Sequence, residues 1–166
     1  NFRFASMPMV DMSMSAFNAD YKKIAKKAKV LTNKLNKARG VIVTFSTGHE
    51  IYFDLRDRSS LVDDGDCSTP GRVINLPSGE VYIAPLEGQV SKTKGYIPVY
   101  SEGHLVIYEI EENKIIDVIT SSPQSEKMRK YFRDDPARAN IAEFGLGCND
   151  QATFINNLIQ DEKVEG

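Results

Sequence analysis

The sequence lacks a long apolar segment and an excess of charge of either sign. Its apolar runs, such as Val41 to Phe45 with the single polar residue Thr44, and Leu105 to Ile107, are far shorter than the ~18 residues that a membrane-spanning helix needs. Its 21 basic and 23 acidic side chains give a formal net charge of -2. A chain this close to neutral has no global field that attracts nucleic acid or an anionic surface. These absences predict no membrane segment and no nucleic-acid partner.

Cysteine and histidine are scarce as well. The two cysteines, Cys67 and Cys148, are too few for a disulfide framework and form no C-x-x-C pair. His49 and His104 each lie beside a turn glycine, and neither is near a cysteine in the sequence. No G-x-S-x-G motif occurs, so nucleophilic hydrolysis has no local support. We expect free thiols in a reducing compartment, the cytoplasm, and we interpret both histidines as turn residues rather than ligands.

We expect no secretory leader in this sequence, because no charged and then apolar segment follows the first residue. That first residue is Asn1 rather than methionine, so we expect a piece of a longer chain. The 166 residues are 41% hydrophobic and 27% charged, which is a globular composition. Since one hydrophobic core serves chains of up to roughly 250 residues, we predict a single domain over residues 1–166.

The periodicity of the apolar residues predicts an α+β fold. Apolar steps of four and three predict a long amphipathic helix that begins after Ser15 and ends at Gly40. We interpret its lysine-rich face as solvated rather than as a nucleic-acid-binding stripe. Strand patterns follow at 41–45, 51–55, 81–84, 96–100, 104–110, 114–119 and 141–146, and helix signals at 122–133 and 151–160. We therefore expect a largely antiparallel or mixed sheet with a long amino-terminal amphipathic helix and two or three further helices.

One segment rich in glycine and proline, GRVINLPSGEVYIAPLEG at residues 71–88, carries a glutamate at each end of a short apolar strand. Glu80 lies at its entry and Glu87 at its exit. A carboxylate is costly to bury unless it is paired, protonated or bound to a metal, so Glu80 is a candidate site residue. From this segment alone, the favoured interpretation is still an ordinary surface glutamate at a strand end.

A second segment, NIAEFGLGCND at residues 140–150, places Glu143 inside a strand that looks buried on both faces. Gly145 and Gly147 would allow the close approach of a backbone or a ligand. Two glutamates on separate strands of one sheet could share a divalent cation, because such cations accept carboxylate oxygens. The acidic run at residues 63–66 lacks the spacing of an EF-hand, and we interpret it as a solvated turn.

At these two segments the sequence resembles the metal-dependent aminopeptidase family of aminopeptidase T and aminopeptidase S, whose members are often called leucyl aminopeptidases. NLPSGEVYIAPLEG is similar to the family block N-(I/L/M)-P-x-G-E-(V/I)-F-x-A-P-x-E, and NIAEFGLGCN is similar to N-(I/L)-(A/G)-E-(L/F)-(A/G)-(I/L)-G-x-N. Asp161, Glu162, Lys163 and Gly166 match the block D-E-K-x-x-G. The order of the blocks agrees, and the likeness covers nearly the whole chain.

The resemblance implies that Glu80 and Glu143 are catalytic metal ligands and that Glu87 lines the substrate site. It implies two divalent ions of zinc, cobalt or manganese, a peptide substrate and a possible homodimer. Such ions would polarise the scissile carbonyl and activate a bridging water, while a carboxylate moves its proton to the leaving amine. Ile83 stands where the family often has threonine, which puts substrate contacts there in doubt.

The family's further histidine, aspartate and tyrosine residues lie beyond the D-E-K-x-x-G block. Two glutamates cannot hold a catalytic metal pair, because transition-metal sites need three or more protein ligands. We therefore expect a metallo-aminopeptidase for the parent protein and no activity from this chain alone. The alternative is a non-catalytic binding or structural module that keeps the family fold.

Overall fold

A computed structural model of the chain describes residues 2–7 and 15–166. The chain divides into two compact units. Unit 1 comprises Asn1–Lys37, Ser59–Ile83 and Gly145–Gly166, and unit 2 comprises Ala38–Arg58 and Ala84–Phe144. Compact units need not be independent folding domains, so the single domain over residues 1–166 stays a prediction.

The described residues form strands, α-helices and two 3-10 turns, at Ser15–Asn18 and Pro136–Ala139. The strands are β1 (Phe4–Ser6), β2 (Gly40–Thr44), β3 (Glu50–Asp54), β4 (Leu61–Asp63), β5 (Val73–Asn75), β6 (Glu80–Ile83), β7 (Lys94–Ser101), β8 (His104–Glu111), β9 (Lys114–Val118) and β10 (Phe144–Gly147). The helices are α1 (Tyr21–Leu35), α2 (Pro123–Asp134) and α3 (Leu158–Asp161).

Unit 1 combines two small sheets with α1. Strands β1 and β5 pair in parallel, and β6 lies between β10 and β4 in the other sheet. Helix α1 packs on β4 and β6. Its inward stripe of Ile24, Ala28 and Leu35 is buried together with Val81 and Ile83 of β6, and this apolar contact forms the core of the unit.

The expected long amino-terminal helix is wrong, because α1 has 15 residues rather than the span from Ser15 to Gly40. Asp20 is the N-cap: its side chain accepts the backbone N–H groups of Lys22 and Lys23, which fixes the helix start. Ser15 lies instead in a separate 3-10 turn. At the other end α1 stops at the C-cap residue Asn36.

Unit 2 is a five-stranded antiparallel sheet in the order β2-β3-β7-β8-β9, joined to α2. Short turns link β2 to β3, β7 to β8 and β8 to β9, whereas β3 and β7 pair although they lie far apart in the chain. The β8–β9 turn uses Glu112 and Asn113, both with positive φ, as a two-residue hairpin turn of type I′ requires. Helix α2 begins at Pro123 after the Ser122 cap, whose hydroxyl accepts the Ser125 N–H at 3.0 Å.

The fold is therefore α+β with mainly antiparallel pairing, but the predicted fold class is wrong in its architecture. In the part of the chain that the structure describes, the strands form three sheets rather than one, most of the regular structure is sheet, and the helices are short. The final helix predicted at 151–160 shrinks to α3, which has four residues. No helix of the described residues is long and apolar enough to cross a membrane.

Candidate metal centre

Glu80 is buried, contrary to the favoured interpretation of a surface acid. It begins β6, pairs in register with Asp63 of β4, and is only 5% exposed. Gly79 fixes this strand start: its N–H donates to the Asp63 carbonyl at 2.9 Å, and its carbonyl accepts the Cys148 N–H at 2.8 Å. Gly79 has φ +127°, and a Cβ there would lie 2.7 Å from the Cβ of Asn149. Backbone contacts on both sides therefore hold Glu80 inside the unit.

A lysine lies among the acids of unit 1. Lys163 is fully buried, and its Nζ lies 2.9 Å from Glu80 Oε2, 2.6 Å from Glu162 Oε1 and 3.3 Å from Asp63 Oδ2. The backbone places it, since the Asn149 N–H donates to the Lys163 carbonyl at 2.9 Å. We call Asp63, Glu80, Glu162 and Lys163 the acid cluster.

The acid cluster holds more negative than positive formal charge. Burial alone lowers the pKa of Lys163, but hydrogen bonds to Glu162 and Glu80 and the charges of Glu80 and Asp63 outweigh it, so this pKa is raised. The lysine is thus firmly protonated. Three carboxylates against one ammonium leave a formal charge of about −2 on the cluster if all are ionised.

Asp63 is held at one oxygen and less satisfied at the other. Its Oδ1 accepts the Asn75 N–H and the Ser78 hydroxyl, each at 3.2 Å. Among the described residues, its buried Oδ2 has no hydrogen-bond partner and only the ion-pair contact with Lys163. A buried acceptor of this kind is costly unless a cation lies nearby. Asp63 is therefore part of the cluster rather than part of a solvated turn.

Gly145 on β10 leaves the space that the Glu80 side chain occupies. A Cβ at residue 145 would lie 2.3 Å from Glu80 Oε1, which is closer than any real contact allows. Carboxylate oxygens of Glu80 and Glu162 also lie within 4.8 Å of each other. Cation–oxygen bonds of about 2.0–2.5 Å place two ligands across one ion at a similar separation. These two carboxylates are therefore spaced to hold one divalent cation.

The remaining predicted site residues belong to unit 2. Glu143 directly precedes β10 and is exposed, so its placement inside a doubly buried strand is wrong. Glu87 is exposed, and its Oε1 accepts the Asn140 side-chain N–H at 2.9 Å. The roles of Glu143 as a metal ligand and of Glu87 in lining the site stay predictions.

The histidines lie in unit 2 and resemble turn residues. His49 ends the β2–β3 turn, with its Nδ1 3.0 Å from the Thr47 hydroxyl, and its ring packs edge-on against Tyr96. His104 begins β8 directly after a turn. Neither cysteine is in a disulfide.

Sequence reasoning missed the roles of Asp63 and Lys163 and assigned none to Glu162. Two of them, Glu162 and Lys163, were recognisable, since they lie in the segment that matches D-E-K-x-x-G. The match itself, however, indicated no role for either residue. Asp63 gave no usable signal, because acids at a turn are usually solvated and its partner is distant in the sequence.

One comparison gives a structural neighbour. The chain is similar in fold to the structure of 2,5-dihydroxypyridine dioxygenase from Pseudomonas putida KT2440, with a TM-score of 0.77 and 17% sequence identity. The match covers 92% of this chain and 48% of that chain, so this chain spans about half of the neighbour's length. No family model matches the chain, and no curated protein matches it.

This likeness corrects the functional prediction. At such low identity it shows the fold alone, and one fold hosts many reactions. The structural neighbour is a dioxygenase rather than a peptidase, and this finding overturns the prediction of a metallo-aminopeptidase, with its hydrolase and protease classes. The resemblance of the two glutamate segments to the aminopeptidase family is untested and stays a prediction.

Proposed function

We propose that this chain is part of a metal-dependent oxygenase whose divalent cation binds at the acid cluster. The observation that carries the proposal is the meeting of three carboxylates on one buried lysine. Buried acids with excess formal charge are costly unless a cation neutralises them. The likeness in fold to a dioxygenase supports oxygenase chemistry rather than peptide hydrolysis.

Manganese(II) suits this cluster best among the expected metals. Unit 1 contains no histidine in its sequence, so the ligands that it offers here are carboxylate oxygens, a donor set more typical of manganese than of zinc or cobalt sites. A bound redox-active cation supplies the one-electron chemistry that reactions of dioxygen need. Glu80 and Glu162 would hold this cation, and Glu143, directly before β10, is proposed as a further ligand from the sequence resemblance.

The residues of the chain would supply placement and charge. Gly145 leaves room for the Glu80 carboxylate, and Asn149 holds the backbone of Lys163 beside it. The low exposure of Glu80 and Lys163 keeps water from competing for the carboxylate oxygens. Two free cysteines fit a reducing compartment, and on that ground we propose a cytoplasmic location.

The metal site is tested by titrating the protein with manganese(II) in a calorimeter. We expect saturable binding that Glu80→Gln and Glu162→Gln each weaken at least tenfold. Glu102→Gln is the matched control, since Glu102 is exposed, pairs with Lys127 and belongs to unit 2. Glu143→Gln tests the sequence-derived ligand, and an unchanged affinity would remove Glu143 from the site.

The oxygenase class needs its own measurement, which is oxygen uptake by the complete manganese-loaded protein with 2,5-dihydroxypyridine as the probe. We expect uptake that depends on the probe and is lost with Glu80→Gln. If the protein binds manganese but consumes no oxygen with this probe or with other hydroxylated rings, the oxygenase proposal fails while the metal site stands.

A further inference from the structure

The acids of the acid cluster come from separate parts of the chain. Asp63 ends β4, Glu80 begins β6, and Glu162 follows α3. Each carboxylate approaches the Lys163 ammonium, at distances from 2.6 to 3.3 Å. Ion pairs with this lysine therefore link β4, β6 and the residue after α3.

Carboxylates gathered in a buried place repel one another. Two like charges a few ångströms apart oppose each other strongly, because the effective dielectric constant of a protein is well below that of water. Without a cation, such acids either separate or take up protons. A metal site that must exist before its metal arrives therefore needs an internal positive charge.

We propose that Lys163 is a positioning residue that keeps Glu80, Glu162 and Asp63 assembled before a divalent cation binds. The inference rests on the proposed metal site and adds how that site is kept ready. The ammonium and the metal stabilise the same carboxylates, so each partly replaces the other. One positive charge among three acids also leaves a formal charge that matches a single divalent cation.

The competing interpretation is an ion pair that stabilises unit 1 and has no connection with metal binding. The two interpretations differ in whether the effects of Lys163 and of the metal on stability are coupled. If Lys163 and the cation neutralise the same acids, removing the lysine makes the protein depend more on the metal. If they act independently, the stabilisation by metal is unchanged when the lysine is removed.

The test compares melting temperatures of wild type and Lys163→Met, with and without one fixed concentration of manganese(II). Without metal, we expect Lys163→Met to melt roughly 10 °C lower, as removal of one partner of a buried ion pair does in a chain of this size. With manganese, we expect the variant to gain at least twice the upward shift of the wild type. Equal shifts in the two proteins would overturn the inference.

Arg56→Met is the matched control. Arg56 pairs with buried Asp54 in unit 2, so its removal also strands a buried acid without touching the acid cluster. We expect a lower melting temperature for this variant but the same manganese shift as the wild type. A larger shift for Arg56→Met would mean that any destabilised variant gains more from metal, and the inference would fail.

A second variant keeps the proposal testable if Lys163→Met does not fold without metal. Folding of that variant on addition of manganese supports the inference. If it stays unfolded in both conditions, Asp63→Asn decides: removing one acid while the lysine stays should weaken manganese binding at least fivefold, and an unchanged affinity overturns the inference. If the wild type itself binds no manganese, the proposed function fails as well, which separates that result from failure of the lysine role alone.

Discussion

Each unit buries acid, but the two units neutralise it differently. In unit 2, Asp54 is fully buried and meets one arginine: Arg56 Nε donates to its Oδ1 at 2.8 Å, and the Lys92 N–H donates to its Oδ2 at 2.9 Å. In unit 1, three carboxylates share Lys163. A buried acid whose charge and hydrogen bonds are fully matched is typical of a structural ion pair. An excess of negative charge, by contrast, is typical of a functional site.

The largest expected difference is between Lys163 and Arg56, the basic residues that neutralise the buried acids of the two units. Lys163→Met should lower the free energy of unfolding by about 3–5 kcal/mol, because it leaves buried carboxylates without their counter-charge. Arg56→Met should cost about 1–2 kcal/mol, since Asp54 keeps backbone donors and the Arg56 side chain is 24% exposed. Urea denaturation without metal measures both, and equal losses would contradict the contrast between the units.

The second prediction concerns Asp54, the buried acid of unit 2, and the dependence of stability on pH. Hydrogen bonds from Arg56 lower the pKa of Asp54 to about 2, against burial, which acts in the opposite direction. A lowered pKa stabilises the fold above the ordinary value of about 3.9 and ceases to do so as the pH falls through about 2. The contribution is about 2 kcal/mol at neutral pH.

The measurement for this second prediction is the free energy of unfolding between pH 5 and 2. Asp54→Asn should flatten the fall in stability relative to wild type. Asp117→Asn is the control, because Asp117 is exposed and its ion-pair contact with Arg129 is long, at 3.8 Å. If the free energy of unfolding of Asp54→Asn falls with pH as steeply as that of the wild type, the pH dependence does not come from Asp54.

A smaller change is expected at Gly145. Gly145→Ala would push a methyl group against Glu80 Oε1, so the carboxylate must move. We expect a loss of about 1 kcal/mol in stability, at the low end for overpacking, and a fall of about tenfold in manganese affinity. Gly166→Ala, where a Cβ meets open space, should change neither. Unchanged manganese affinity in Gly145→Ala would show that the placement of Glu80 does not matter for binding.

The smallest perturbation is a chemical label. Burial raises the pKa of the Cys148 thiol to about 11, and the residue is 2% exposed, whereas Cys67 is partly exposed. A thiol reagent at pH 8 should therefore modify Cys67 at once and Cys148 only when unit 1 opens. Lys163→Met should speed the modification of Cys148. An equal acceleration by Arg56→Met would show that the two units open together.

The sheet of unit 2 was the most predictable part of the fold. Its strands are short segments rich in apolar and β-branched residues, and Gly48 and the Glu112–Asn113 pair mark two of the turns, so these signals are local. The start of α1 was less predictable, because Ser15 and Asp20 are both good caps and tertiary structure selects between them.

The candidate site was only half predictable. Glu80 was identified because an acid in an apolar strand is costly, which a local pattern reveals. Its burial depends on Lys163, 83 residues further along the chain, and no local pattern connects the two. Glu143 shows the opposite error, since an apolar context suggested burial while the chain leaves it exposed.

That separation in sequence has a consequence for the order of events during synthesis. Glu80 and Asp63 leave the ribosome well before Lys163, and a protein of this kind is made at about 5–20 residues per second. For several seconds, two acids of the site exist without their counter-charge. Closing so long a loop is also slow compared with forming the local hairpins of unit 2. The acid cluster is thus completed late, so the proposed metal ion would enter it as a finishing step rather than as a template for folding.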